Sequence, residues 1–148
     1  MPEPQGRLCE HRLRRRVQFH ETDAAGIVHF SRFFLYMEEA EHALWRAAGL
    51  SIAPRGSAIG WPRTAVSFEY HRPLRFEDEV DVVLRIVAIE ERTIRYSCVV
   101  LRGEERIATG GMTVTCATKA ADDRMRATAI PADVVSRFGV SPKSGPVP

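Results

Sequence analysis

The chain has 148 residues, 45% of them hydrophobic and 27% charged, with a formal net charge of +2. That length suits a single domain able to bury a real core, and a charge so close to neutral speaks against a nucleic-acid or acidic-membrane partner. No run of about eighteen apolar residues is present and the opening MPEPQGRLCEHRLRRR has no apolar segment, so neither a membrane span nor a secretory signal is expected.

Three cysteines, Cys9, Cys98 and Cys116, lie far apart and form no C-x-x-C or Cys/His cluster. A reduced, cytoplasmic protein with idle thiols and no metal is the expectation.

In chain order, residues 1–10 read as a disordered lead-in rich in proline and glycine. From Arg12 the pattern alternates: Leu13, Arg15, Val17 and Phe19 on one face, Arg12, Arg14, Arg16 and Gln18 on the other. This is a strand, and the arginine run is its solvated face. A polar turn, Glu21-Thr22-Asp23-Ala24-Ala25-Gly26, leads into a long helix from His29 or Phe30 to Ala48. Phe30, Phe33, Phe34, Met37, Ala40, Leu44 and Ala48 give that helix one buried face. Tyr36 and Trp45 add apolar area off the stripe, and Gly49 stands where a helix-ending glycine belongs.

Residues 50–62 read as a loop, and four strand-like segments follow. Thr64–His71 places Val66, Phe68 and Tyr70 on one face, and Pro73 with the FEDE turn breaks the chain. Glu79–Glu90 puts Val80, Val82, Leu84, Ile86 and Ala88 together, and Thr93–Arg102 does so for Ile94, Tyr96, Cys98 and Val100. After a hairpin turn at Gly103, Arg106–Ala117 carries Ala108, Met112, Val114 and Cys116 inward and Ile107, Thr109, Thr113 and Thr115 outward. Gly110-Gly111 predicts a bulge or a close approach by another backbone. Met125–Ile130 is expected on a sheet edge, Pro131–Phe138 as a short helix, and residues 139–148 as disordered. The order predicts an α+β fold: one long central helix wrapped by a bent antiparallel sheet of five to six strands. Such a sheet leaves an edge that a second copy would cover, so a homodimer is expected.

Asp23 invites two readings. In one it closes an Asx-turn and nothing more. In the other it is a carboxylate beside free N–H groups near a helix start, which can hold a developing negative charge. Such a carboxylate can attack a carbonyl or activate water. The small residues after it, Gly26 among them, allow another molecule close to the backbone. Glu21 and Thr22 read as ordinary turn residues.

The segment ETDAAGIVHFSRFFLYMEEA resembles the signature of the 4-hydroxybenzoyl-CoA thioesterase-like branch of the hotdog-fold superfamily. That signature is an Asp, two small residues or a proline, Gly-Ile/Val-Val, two aromatic or His positions, and the helix. RPLRFEDEVDVVLRI resembles the family's second stretch and ATAIPADVV its C-terminal ending, so the resemblance spans about residues 12–138 of a single 1–148 domain. It implies a hotdog fold, a homodimer or dimer of dimers, and hydrolysis of an acyl- or aryl-coenzyme A thioester. Coenzyme A would be part of the substrate, with no further cofactor. The family's catalytic Asp falls on Asp23, as nucleophile or general base, and its carbonyl-polarising N–H falls near Phe30. Arg92 and Thr93 fall near where relatives hold the nucleotide end of coenzyme A. Where branches of the family carry Tyr-His or Phe-Tyr, this chain has His29-Phe30, so His29 either assists Asp23 or only packs. The rival expectations are a hotdog module that binds acyl groups without turnover and a thioesterase acting on acyl-carrier-protein thioesters.

Overall fold

The computed structural model describes residues 6–142. Five long strands form one antiparallel sheet: β1 (Glu10–Arg16), β3 (Arg63–Tyr70), β4 (Glu79–Ile89), β5 (Thr93–Arg102) and β6 (Glu105–Thr115), in the order β1-β4-β5-β6-β3. The long helix α1 (Arg32–Ala47) lies across its inner face. A smaller sheet joins β2 (Ile59–Gly60), β7 (Ala117–Lys119) and β8 (Met125–Ala127), and a short helix α2 (Ala132–Val135) follows. This is the hotdog arrangement. Among the described residues no helix is long and apolar enough to cross a membrane.

Alternation selects the core. Val80, Val82, Leu84 and Ile86 of β4, with Ile94, Tyr96, Cys98 and Val100 of β5, meet Tyr36, Met37, Ala40 and Leu44 of α1. Each large apolar side chain buried this way stabilises the fold by about 1.5–3 kcal/mol. The three cysteines are free thiols, and burial pushes that of Cys98 up to about 12. On the outer face of β1, Arg12 reaches Asp81 at 3.0 Å, and Arg14 and Arg16 reach Glu79 at 2.8 and 2.6 Å.

The helix starts later than expected. It begins at Arg32, because the Arg32 N–H bonds the His29 carbonyl at 2.9 Å and His29–Ser31 form a separate turn. Phe30 therefore lies off the buried face and is 63% exposed. The buried arc is wider than one stripe, as the apolar area of Tyr36 and Trp45 off it implied. Trp45 packs edge-on against Trp61 and Phe138 and donates from Nε1 to the Tyr96 hydroxyl at 3.0 Å. Glu41 has no exposed surface and is held by the Arg63 guanidinium at 2.5 and 3.2 Å. Burial raises its carboxyl against the pull of Arg63. Gly49, at φ +78°, ends the helix: its N–H reaches Arg46 O and that of Leu50 reaches Trp45 O, both at 2.9 Å.

Two other expectations are corrected, and at Gly110-Gly111 one of the two alternatives holds. Ile107 is fully buried, because the β5–β6 register shifts between Val100 and Leu101 and turns it inward. Gly110-Gly111 forms no bulge and pairs in register with both neighbours. A Cβ on Gly110 would run into Ser67 O and lie 2.8 Å from the Phe68 ring, so the glycine marks a close approach. The two ends of the described chain are ordered because they hold each other: Leu8 N–H bonds Arg137 O and Gly139 N–H bonds Leu8 O, both at 3.0 Å, and Ser141 N–H bonds Ile86 O at 2.8 Å. Disorder is thus wrong for residues 6–10 and 139–141, and the expectation for 1–5 and 143–148 lies outside the described residues.

Candidate active site

After Val17 the chain leaves the sheet in one tight helical turn, Phe19–Glu21. This turns Phe19 outward, 74% exposed and edge-on to Phe76, against the inward placement expected from alternation. Glu21 instead points in and is 5% exposed, so it is no ordinary turn residue.

Asp23 opens the next turn. Its Oδ1 accepts the Ala25 N–H at 2.8 Å and the Ile27 N–H at 3.4 Å, while its own N–H bonds Ile27 O at 2.8 Å. Gly26 supplies the left-handed residue, φ +78°, and its N–H bonds Asp23 O at 3.0 Å. The Asx-turn is real, and it engages one carboxylate oxygen. Oδ2 has no hydrogen-bond partner among the described residues. Asp23 lines an open pocket of about 430 Å³ together with Ile27, Phe30, Phe33, Tyr70 and Leu74.

The other leg of the loop returns beside Asp23. Thr22 bridges Val28, His29 N–H bonds Glu21 O at 2.9 Å, and Val28 N–H bonds Leu74 O at 2.8 Å. Phe30 follows. Its carbonyl accepts the Tyr70 hydroxyl at 2.8 Å, and its N–H has no acceptor among the described residues. The pocket thus combines a half-engaged carboxylate, an unbonded N–H and mostly apolar walls. The chemistry it can perform is attack on, or hydration of, a carbonyl whose oxygen that N–H holds.

Of the residues expected from sequence, Asp23 and Phe30 meet at this pocket. Gly26 shapes the turn and does not line the pocket. His29 turns away: its Nδ1 accepts the Ser31 N–H at 3.2 Å, lies 2.8 Å from Ser31 Oγ, and its ring stacks on Phe30. These contacts are to Ser31 and Phe30, and His29 is not among the residues that line the pocket. Arg92 and Thr93 sit in the β4–β5 turn, where Thr93 pairs with Thr115, whereas Tyr70 pairs with Ala108. At ~3.3 Å per strand residue the two ends are roughly 23 Å apart along β6, so one chain does not bring Arg92 and Thr93 to Asp23.

Sequence reasoning missed Tyr70, His71, Arg72 and Leu74 as lining residues and Glu21 as a buried one. The first group reaches the pocket through the Ile27–Arg75 bridge and the Val28–Leu74 bond, which no local pattern announces. For Glu21 a signal existed: an arginine, Arg15, alternating onto the inward face of β1 needs an acid to meet it. Burial would raise the Glu21 carboxyl, but hydrogen bonds from Arg15 and the Gln18 N–H, the Arg15 charge and the Tyr36 hydroxyl together hold it below its ordinary value. Burial and the neighbouring Glu21 charge raise the Tyr36 phenol in turn.

Comparison with known proteins bears on the family and the fold. A family model described as the thioesterase-like superfamily matches residues 17–138. A protein of Aquifex aeolicus is 35% identical over 96 residues, covering 64% of this chain and 75% of that protein. A 1,4-dihydroxy-2-naphthoyl-CoA hydrolase of Synechococcus elongatus is 26% identical over 106 residues, covering 69% and 77%. The solved structure of a gentisyl-coenzyme A thioesterase superposes with a TM-score of 0.76 at 25% identity, covering 84% of this chain and 98% of that one.

Proposed function

The chain belongs to the thioesterase-like superfamily and is a thioester hydrolase, and on that premise we propose that it cleaves an acyl-coenzyme A to the free acid and coenzyme A, with Asp23 as the reacting carboxylate. The observation that carries this reading is that Asp23 and Phe30 line one pocket, and that Asp23 Oδ2 and the Phe30 N–H are each without a partner among the described residues.

The chemistry asks little more. A thiol ionises near ~8.5, so the thiolate leaves without a strong general acid. Either Asp23 takes a proton from a water that adds to the thioester carbonyl, or its Oδ2 adds directly and water then cleaves the resulting anhydride. Both routes put negative charge on the carbonyl oxygen. The Phe30 N–H is the donor for it, and losing one such donor typically costs on the order of 10²–10³ in turnover. The Asx-turn serves this role: with Oδ1 bound to two N–H groups, Oδ2 is oriented.

The aromatic walls formed by Phe30, Phe33 and Tyr70 favour a flat aryl acyl group. Names of two relatives, a dihydroxynaphthoyl-CoA hydrolase and a gentisyl-coenzyme A thioesterase, agree with an aryl substrate. The working unit is a homodimer. The outer edge of β3 is unpaired in the single chain, and Phe30, Leu35, Val66 and Tyr70 are exposed. Arg92 and Thr93 then act on the nucleotide end of a substrate bound across two copies.

The test is a panel of aryl-, short-chain and long-chain acyl-CoAs, with released thiol read by a chromogenic reagent. Turnover highest on aryl-CoA supports the reading. Stoichiometric binding without turnover on any member, or hydrolysis confined to the same acyl groups on a carrier protein, contradicts it.

A further inference from the structure

Glu21 does not line the pocket, yet its side chain ties the start of the Asp23 loop to β1 and α1 and its carbonyl ties that start to the returning leg, which Leu74, Arg75 and Tyr70 hold separately. We propose that Glu21 is the positioning residue of this site, setting the spacing between the Asp23 carboxylate and the Phe30 N–H. The proposal rests on the function assigned above.

Two sets of bonds support it. The first anchors the side chain. The Arg15 guanidinium donates in a fork, Nη1 to Oε1 at 2.9 Å and Nη2 to Oε2 at 2.8 Å. The Gln18 N–H adds a bond at 2.7 Å and the Tyr36 hydroxyl one at 3.1 Å. The donors are themselves fixed. Arg15 belongs to β1, lies 4.0 Å over the Tyr36 ring and bonds Glu39 at 3.0 Å, and Tyr36 is a fully buried residue of α1. Sheet and helix thus grip one carboxylate from two sides. Forked, charge-assisted bonds of this kind fix geometry as well as adding energy.

The second set starts at the backbone. The Glu21 carbonyl accepts the His29 N–H at 2.9 Å, and the Thr22–Val28 bridge follows directly. Asp23 lies just beyond this tie on the outgoing leg, and Phe30 just beyond it on the returning leg. Glu21 thus links the leg that carries Asp23 to the leg that carries Phe30. A shift of only ~1 Å between reacting groups costs on the order of 10²-fold in rate, so an anchor here acts on turnover more than on binding.

The experiment is a double-mutant cycle on the best acyl-CoA substrate, with full-length Glu21→Gln, Asp23→Asn and the double variant. The expected result is a loss of at least about 10-fold in kcat for Glu21→Gln with KM within about 2-fold, and no further loss when Glu21→Gln is added to Asp23→Asn. A purely structural residue would cost the same factor on both backgrounds, whatever its effect on Tm. Near-normal kcat in a folded Glu21→Gln, or an equal loss on both backgrounds, overturns the proposal. If Glu21→Gln fails to fold, Tyr36→Phe removes only one hydroxyl from the same carboxylate: a several-fold kcat loss that vanishes on the Asp23→Asn background supports the role, and unchanged kcat overturns it. Full turnover by Asp23→Asn itself overturns the assigned function, and the positioning role with it; loss in Asp23→Asn without loss in Glu21→Gln overturns the positioning role alone.

Discussion

The Tyr70 hydroxyl donates to the Phe30 carbonyl at 2.8 Å, tying the end of an edge strand to a pocket-lining residue whose N–H has no acceptor among the described residues. Replacing Tyr70 by Phe keeps the ring and removes that bond. One neutral hydrogen bond is worth about 0.5–1.5 kcal/mol, so kcat for Tyr70→Phe is expected to fall ~2- to 12-fold with the fold intact. Steady-state kinetics beside a thermal melt checks this, and an unchanged kcat would mean that Phe30 is held by its other neighbours.

Acid should loosen the Asp23 loop through Glu21. The folded Glu21 carboxyl titrates below its ordinary value of 4.5, so its contribution to stability is complete above that value and is lost as pH falls through the lower folded value. Glu21→Gln has no such group to protonate. The Tm gap between wild type and Glu21→Gln is therefore expected to be widest near neutral pH and to close as pH falls below 4.5. A gap that stays constant across that range would show that the Arg15–Glu21 pair does not carry the difference.

Gly110 is kept small by Phe68. A side chain there meets the Ser67 carbonyl and the Phe68 ring, which itself packs against Phe33 and Phe34. Gly110→Ala is expected to destabilise by about 1–3 kcal/mol through overpacking, read as a lower denaturant midpoint at unchanged slope. An unchanged midpoint would mean the β3 edge yields freely.

Much of the fold was legible because its strands alternate cleanly. Ile94, Tyr96, Cys98 and Val100 needed only a period of two, and Gly49 and Gly103 announced a helix end and a hairpin. What failed depended on distant partners. Ile107 is inward only because of a register shift against β5. At the candidate site, Asp23 and Phe30 came from the family resemblance of the turn-to-helix stretch, and the two residues line one pocket. Tyr70 and Leu74 come from more than forty residues further along, and the role of Glu21 depends on Arg15 from the neighbouring strand.

Exposure of Phe30, Leu35, Val66 and Tyr70 beside the unpaired edge of β3 predicts a dimer in solution. Light scattering at micromolar concentration is expected to give twice the chain mass or a multiple of it. A stable monomer would contradict the shared-site account and leave Arg92 and Thr93 without access to the pocket.

The central claim is that the Asp23 carboxylate reacts. Asp23→Asn tests it directly, because an asparagine Oδ1 still accepts the Ala25 and Ile27 N–H bonds of the turn while Oδ2 is replaced by an amide NH₂. The exposed, remote Asp133→Asn is the matched control, since buried Glu21 is unsuitable. The account predicts that Asp23→Asn lowers kcat on the best acyl-CoA by at least about 10²-fold, with Tm and oligomeric mass close to wild type and Asp133→Asn fully active. Near-normal turnover by a folded Asp23→Asn protein would reduce Asp23 to the turn residue it also is and contradict the account.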